Sequence, residues 1–170
     1  MKNFINLKDI PSKDLRKILE DAKKRKNKRK KLSTLEVDKD KPLKGKLIIQ
    51  MYEKQSSRTR LSFYLSIAQL GAGSITIKSN ELHLGKGGET LADTAKILST
   101  YGDGFMLRTD SDKKIEDFSK NLTIPIVNIS ESTWQGCELG LNKFMIGIFK
   151  FLLKSSIFLS LSVLSINASP

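Results

Sequence analysis

The sequence predicts an α/β protein: a parallel sheet of about four strands flanked by helices, with an apolar C-terminal tail. Two observations carry this. Short apolar runs, three of the four containing β-branched residues, recur near residues 47–52, 74–78, 104–108 and 124–128. Between them lie segments whose apolar residues fall at helical spacing. Strands that alternate with helices form a parallel sheet with helices packed on its faces. Ligands of such sheets bind outside the carboxyl ends of the strands.

Each element has its own signal. Ser12, after Pro11, caps a first helix, with Asp14 in its opening turn and Leu15, Ile18 and Leu19 on one face. The basic run KKRKNKRKK at 23–31 ends it, and residues 32–45, with Pro42 and Gly45, form a connection. Leu47, Ile48 and Ile49, with Gln50, Met51 and Tyr52, read as a buried strand. Glu53, Lys54 and Gln55 make a polar turn. Leu61, Tyr64, Leu65 and Ala68, with Phe63, Ile67 and Leu70 beside them, mark a helix that Gly71 stops. Ile75 and Ile77 alternate against Thr76 in a second strand, and SNELHLGKGGET at 79–90 is a glycine-rich loop. Leu91, Ala95 and Leu98 mark a helix, Gly104 to Arg108 a third strand, and Ile115 and Phe118 another helix. Ile124 to Asn128 is the fourth strand, with Pro125 near its start.

Composition narrows the class. At 170 residues the chain is one domain, or one and a small piece, with enough length for a modest core. Cys137 is the only cysteine, which excludes an internal disulfide and fits a reducing compartment. No apolar segment follows Met1, and Asp9, Asp14, Glu20 and Asp21 argue against a transit peptide, so a cytoplasmic location is expected. The net charge is +12, but residues 23–31 alone hold eight of the thirty cations. That run could bind nucleic acid or an anionic membrane. The favoured reading is a solvated helix end, because no aromatic residue lies within it to stack on bases.

The chemistry-bearing stretch is Ser56-Ser57-Arg58-Thr59-Arg60, between the first strand and its helix. A helix start carries unpaired N–H groups and a partial positive charge, which suit an anion. The three hydroxyls can donate to phosphate oxygens, and Arg58 can grip two of them. Cations in a helix's first turn oppose its dipole by roughly 0.3–1 kcal/mol each, a cost that a bound dianion offsets. From spacing alone, a serine cap followed by solvated arginines explains the stretch as well. Ser56, Arg108 and Asn128 all lie at or just beyond strand ends and could converge.

Tyr52-Glu53-Lys54-Gln55-Ser56-Ser57-Arg58-Thr59-Arg60 resembles the F-E-K-x-S-T-R-T-R signature of ornithine carbamoyltransferases. The related aspartate enzymes usually carry a proline directly before that serine, so Lys54-Gln55 favours the ornithine branch. Asp93-Thr94-Ala95-Lys96-Ile97-Leu98-Ser99 is similar to the family's D-T-A-R-V-L-S helix, to which no chemistry is assigned. The likeness spans roughly residues 1–128. It implies that Ser56, Ser57, Arg58 and Thr59 hold the phosphate of carbamoyl phosphate and that Arg108 bridges phosphate and carbonyl as the catalytic arginine. It also implies that the loop at 79–90 reaches a neighbouring subunit's site in a trimer, with His83 near a glutamine of the family pattern. No metal or organic cofactor is implied.

Beyond Asn128 the pattern breaks. The family's H-P-C-Q is replaced by Gln135-Gly136-Cys137-Glu138, where only the cysteine survives. Glu138 would bring negative charge toward an anionic substrate. From Leu139 to Pro170 the only charges are Lys143, Lys150 and Lys154. A membrane span needs about 20 predominantly apolar residues, which Phe144 to Ile166 reaches only by including two lysines, so an altered, aggregation-prone tail is the favoured reading and a membrane anchor the alternative. The expected division is therefore a carbamoyl phosphate-binding domain at 1–138 and an apolar tail at 139–170. The expected activity is transfer of the carbamoyl group to L-ornithine, impaired in this short chain and dependent on a second domain for the amino acid. The alternative is a non-catalytic basic protein that binds nucleic acid or another anion through residues 23–31.

Overall fold

The computed structural model describes residues 3–54, 57–78 and 89–130. Helix α1 (Ser12–Lys28), strand β1 (Leu47–Tyr52), helix α2 (Ser57–Gln69) and strand β2 (Gly73–Lys78) form its first half. Helix α3 (Leu91–Tyr101), strand β3 (Gly104–Arg108), helix α4 (Asp112–Asn121) and strand β4 (Ile126–Asn128) form its second. The strands are parallel throughout, in the order β2-β1-β3-β4. Phe4 extends the β4 edge with a single bridge to Val127, donating to the Ile126 carbonyl at 2.9 Å and accepting from Asn128 N–H at 2.8 Å.

The pleat of the sheet sorts the core into two layers, since alternate side chains face opposite sides. Ile48, Tyr52, Met106 and Val127 pack with Ile18 of α1 and with Phe63 and Ile67 of α2. Ile49, Met51, Phe105, Leu107 and Ile126 pack with Ala95 and Leu98 of α3 and with Ile115 and Phe118 of α4. The Phe105 and Phe118 rings meet at 5.1 Å between centroids. Each sheet face is thus covered by one helix pair.

Local chemistry explains most boundaries. Gly71 ends α2 at φ +87°, with Ala72 N–H bonding the Ile67 carbonyl at 3.1 Å and Gly71 N–H the Ala68 carbonyl at 2.9 Å, the pattern of a Schellman stop. Thr90 caps α3 in a reciprocal box with Asp93. The hydroxyl and backbone N–H of Thr90 hold the Asp93 carboxyl below its ordinary pKa. At α1, Pro11 rather than Ser12 occupies the cap position, and Ser12 is the first helical residue with no capping bond. The Pro11 carbonyl accepts from Asp14 and Leu15 N–H and so starts the helix itself. Strand β2 alternates as expected but lies at the sheet edge, leaving Ile75 50% exposed.

The basic run is only partly a solvated helix end. Its lysines are exposed, but Arg25 is 6% exposed and Arg29 half-buried. Arg25 bonds Asp21 at 3.0 Å, Asp40 at 2.6 Å and Asp38, and Arg29 also bonds Asp38. Burial works to lower the Arg25 pKa, but the bonds to Asp40, Asp21 and Asp38 outweigh it and raise the pKa above its ordinary value. These arginines tie the end of α1 to the 32–45 connection. They are therefore already committed, which weakens the case for that run as a nucleic-acid surface.

Candidate anion-binding site

The strand order creates the site. From β1 the chain crosses through α2 to β2 on one side. It then returns past β1 to β3, and from there moves on through α4 to β4. The connections leaving β1 and β3 therefore diverge at adjacent carboxyl ends, opening the kind of crevice where α/β sheets bind ligands.

One wall of the crevice is the first turn of α2. Ser57, Arg58 and Arg60 are exposed and Thr59 is half-buried. The first backbone N–H groups of this helix have no intrahelical acceptor and so are available as donors. The other wall is Arg108, the last residue of β3, which is 5% exposed and stands opposite Tyr52 in register. Alternation along β3 puts Arg108 on the face of Met106, the side on which α2 packs. Arg108 and the α2 start thus share one face of the sheet. Ser56 and His83 lie outside the described residues, as do Gln135, Cys137, Glu138 and the 139–170 tail.

Tyr52, the last residue of β1, is buried beside Arg108. Its hydroxyl donates to Gln50 Oε1 at 2.7 Å, inside the core. Burial pushes its pKa up, and the nearby charges of Arg60 and Arg108 oppose that shift only in part. The phenol therefore stays neutral beside two guanidinium groups.

Asn128 does not join this group. It pairs with Leu107 and shares the face of Ile126, opposite to the face of Arg108. Its Nδ2 donates to the Ile5 carbonyl at 3.2 Å and its Oδ1 accepts from Ser130 N–H at 2.9 Å. Those bonds shape the chain after β4.

Glu53 and Lys54, read in the sequence as a polar turn, are tied to the loop after β3 and to the first turn of α4. The Glu53 N–H donates to the Arg108 carbonyl at 2.9 Å, and the Glu53 carboxylate accepts from the Thr109 hydroxyl and the Lys114 ammonium. Lys54 pairs with Asp110 at 2.8 Å. In sequence these partners are more than fifty residues apart, and nothing local marks them.

A cleft of about 510 Å³ lies elsewhere, lined by Asp21, Lys24, Arg25, Lys28, Leu32, Asp38, Lys39 and Asp40. Asp38 N–H bonds the Gln69 carbonyl, which places this cleft at the far end of α2. A 13-residue helix is roughly 20 Å long, so the cleft is remote from Arg108. Its walls are the ion-pair network already described. Among the described residues no group of histidine, cysteine or carboxylate side chains is placed to hold a metal ion, and no helix is long and apolar enough to cross a membrane.

Residues 2–136 match the family described as aspartate/ornithine carbamoyltransferase, carbamoyl-P binding domain. An ornithine carbamoyltransferase of Brucella ovis is 39% identical over 139 residues, which make up 82% of this chain and 43% of that protein. The structure is similar to ornithine carbamoyltransferase from Pyrococcus furiosus, with a TM-score of 0.66 and 34% identity over 76% of this chain and 39% of that one. It is also similar to the catalytic subunit of M. jannaschii aspartate transcarbamoylase, with a TM-score of 0.65 and 30% identity over 77% of this chain and 42% of that one. The chain spans about two fifths of the length of these relatives. With its sheet, its helix start and its strand-end arginine in the matched segment, the chain belongs to the aspartate/ornithine carbamoyltransferase family, through that family's carbamoyl phosphate-binding domain.

Proposed function

We propose that the chain binds carbamoyl phosphate in the crevice between the α2 start and Arg108 and serves an ornithine carbamoyltransferase reaction. In that reaction the lone pair of the neutral ornithine δ-amine forms a bond to the carbamoyl carbon. The bond from that carbon to the bridging oxygen breaks, the electrons leave with phosphate, and the amine's proton is released, giving citrulline. Ser56, Ser57, Arg58 and Thr59 hold the phosphate. Arg108 bridges phosphate and carbonyl and stabilises the negative charge that develops on both, a contribution that grows in a water-poor site. His83 reaches the ligand of a neighbouring subunit in a homotrimer. A second domain supplies the ornithine site, and the protein acts in arginine biosynthesis in the cytoplasm.

The observation that carries this reading is the placement of Arg108, buried at a strand end and on the same sheet face as the helix that begins Ser57-Arg58-Thr59. The departures at Gln135 and Glu138 predict weak or absent turnover from these 170 residues alone. Calorimetric titration of carbamoyl phosphate into the chain and into Arg58→Ala tests the site. We expect measurable heat from the first and a loss of about tenfold or more in affinity from the second, the usual worth of a charge-assisted bond. No heat, or an unchanged affinity in the variant, would overturn the reading. Robust citrulline formation by this chain alone would overturn its impairment.

A further inference from the structure

We propose that Lys114, acting through Glu53, is a positioning residue that sets the spacing between the two walls of the anion site. This rests on the reading of that site given above. The two walls belong to separate loops. Ser57, Arg58 and Thr59 follow the loop that begins at Glu53, and Arg108 immediately precedes the loop that runs from Thr109 to Ser111. The loops are clamped together at Glu53. Its backbone N–H holds the Arg108 carbonyl at 2.9 Å, and its carboxylate is gripped by the Thr109 hydroxyl and the Lys114 ammonium. The Lys54–Asp110 pair at 2.8 Å adds a second crossing.

The clamp is itself anchored. The Thr109 carbonyl accepts from Ser130 Oγ at 2.6 Å, and Thr109 Oγ1 accepts from Ser111 N–H at 3.1 Å. Ser111 in turn caps α4 by accepting from Lys114 N–H at 3.2 Å. The ammonium therefore projects from the capped first turn of a helix.

Local preference does not explain these residue types. A lysine in a helix's first turn opposes the dipole, and a carboxylate beside an anion site repels its ligand. Joined to each other they neutralise both defects and fix the loop geometry. With the ammonium removed, the Glu53 carboxylate loses its cation and the two loops lose one of the bonds that cross between them.

The test is calorimetric titration of the full chain with carbamoyl phosphate and, separately, inorganic phosphate, with thermal melting as the fold control. Lys114→Met and Glu53→Ala are each expected to weaken binding by about tenfold or more, and Lys114→Arg to retain it. Lys120→Met removes an equal charge from the same helix, where Lys120 pairs with Glu116 only at 3.9 Å and both are well exposed, so it should change affinity little. Glu53→Ala separates positioning from simple charge by sign: removing an acid tightens anion binding if only the field matters, and weakens it if the clamp matters. Binding in Glu53→Ala as tight as in the parent, or Lys114→Met no weaker than Lys120→Met, overturns the proposal while leaving the site intact. If one variant fails to fold, the other decides. If both fail, the pair is a folding element and the proposal is overturned. If the parent binds neither anion, the site reading falls first and this inference with it.

Discussion

Tyr52 and Arg108 stand opposite each other on neighbouring parallel strands, a neutral phenol and a buried guanidinium at the same sheet end. The phenol's hydroxyl turns back along its own strand to Gln50 Oε1. Its proton is thus held inside the core, beside the guanidinium at the end of the neighbouring strand.

Arg108→Gln should therefore cost affinity. A charge-assisted hydrogen bond is worth about 1.5–3 kcal/mol, so carbamoyl phosphate binding should fall by roughly ten- to a hundredfold in a titration. A cooperative melt should persist. Retained affinity would remove Arg108 from the site.

Tyr52→Phe should destabilise the fold by about 1–3 kcal/mol in a urea titration, because Gln50, fully buried, loses the donor to its Oε1. The pH dependence has a definite sign. The folded pKa of Tyr52 lies above that of the unfolded chain, so the stability it contributes is present below about pH 10 and is lost as pH rises toward the folded value. Between about pH 10 and 12 the parent should lose stability faster than Tyr52→Phe. Parallel curves would show that the phenol ionises freely.

Arg25→Ala should be among the more damaging substitutions, at about 2–3 kcal/mol, because it leaves Arg29 alone to pair with the buried Asp38 and removes the ties to Asp21 and Asp40. Chemical denaturation gives the value. A loss near zero would mean that water replaces the guanidinium at no cost.

Gly71→Ala should cost about 1–2 kcal/mol, through the backbone rather than through packing. The φ of +87° strains any side-chain-bearing residue, whereas the added Cβ would meet its nearest neighbour, Lys41 Cβ, at an ordinary 3.4 Å. Gly71→Asn, which tolerates that region better, should recover part of the loss in a thermal melt.

The elements themselves were legible in the chain because each is written locally. The apolar run from Leu47, the period of Phe63, Ile67 and Leu70, and the stop at Gly71 need no distant partner to be read. Arg108 was legible as the charged end of a strand, and Ser57-Arg58-Thr59 as a helix start. Where sequence reading failed, the deciding partner was remote. Arg25 and Arg29 looked like a solvated run until Asp38 and Asp40, contributed by the following connection, enclosed them. Asn128 looked like part of the site until register placed it on the opposite face.

By itself, then, the amino-acid order determined the alternating strands and helices, their stops and the donors at the start of α2, since backbone preference and side-chain period act within a few residues. The tertiary structure alone decided that β3 lies beside β1, that Arg108 faces the α2 side, and that Glu53 meets Lys114 sixty-one residues away. Those choices follow from burying both faces of one sheet, a condition on the whole chain that no short window of it can express.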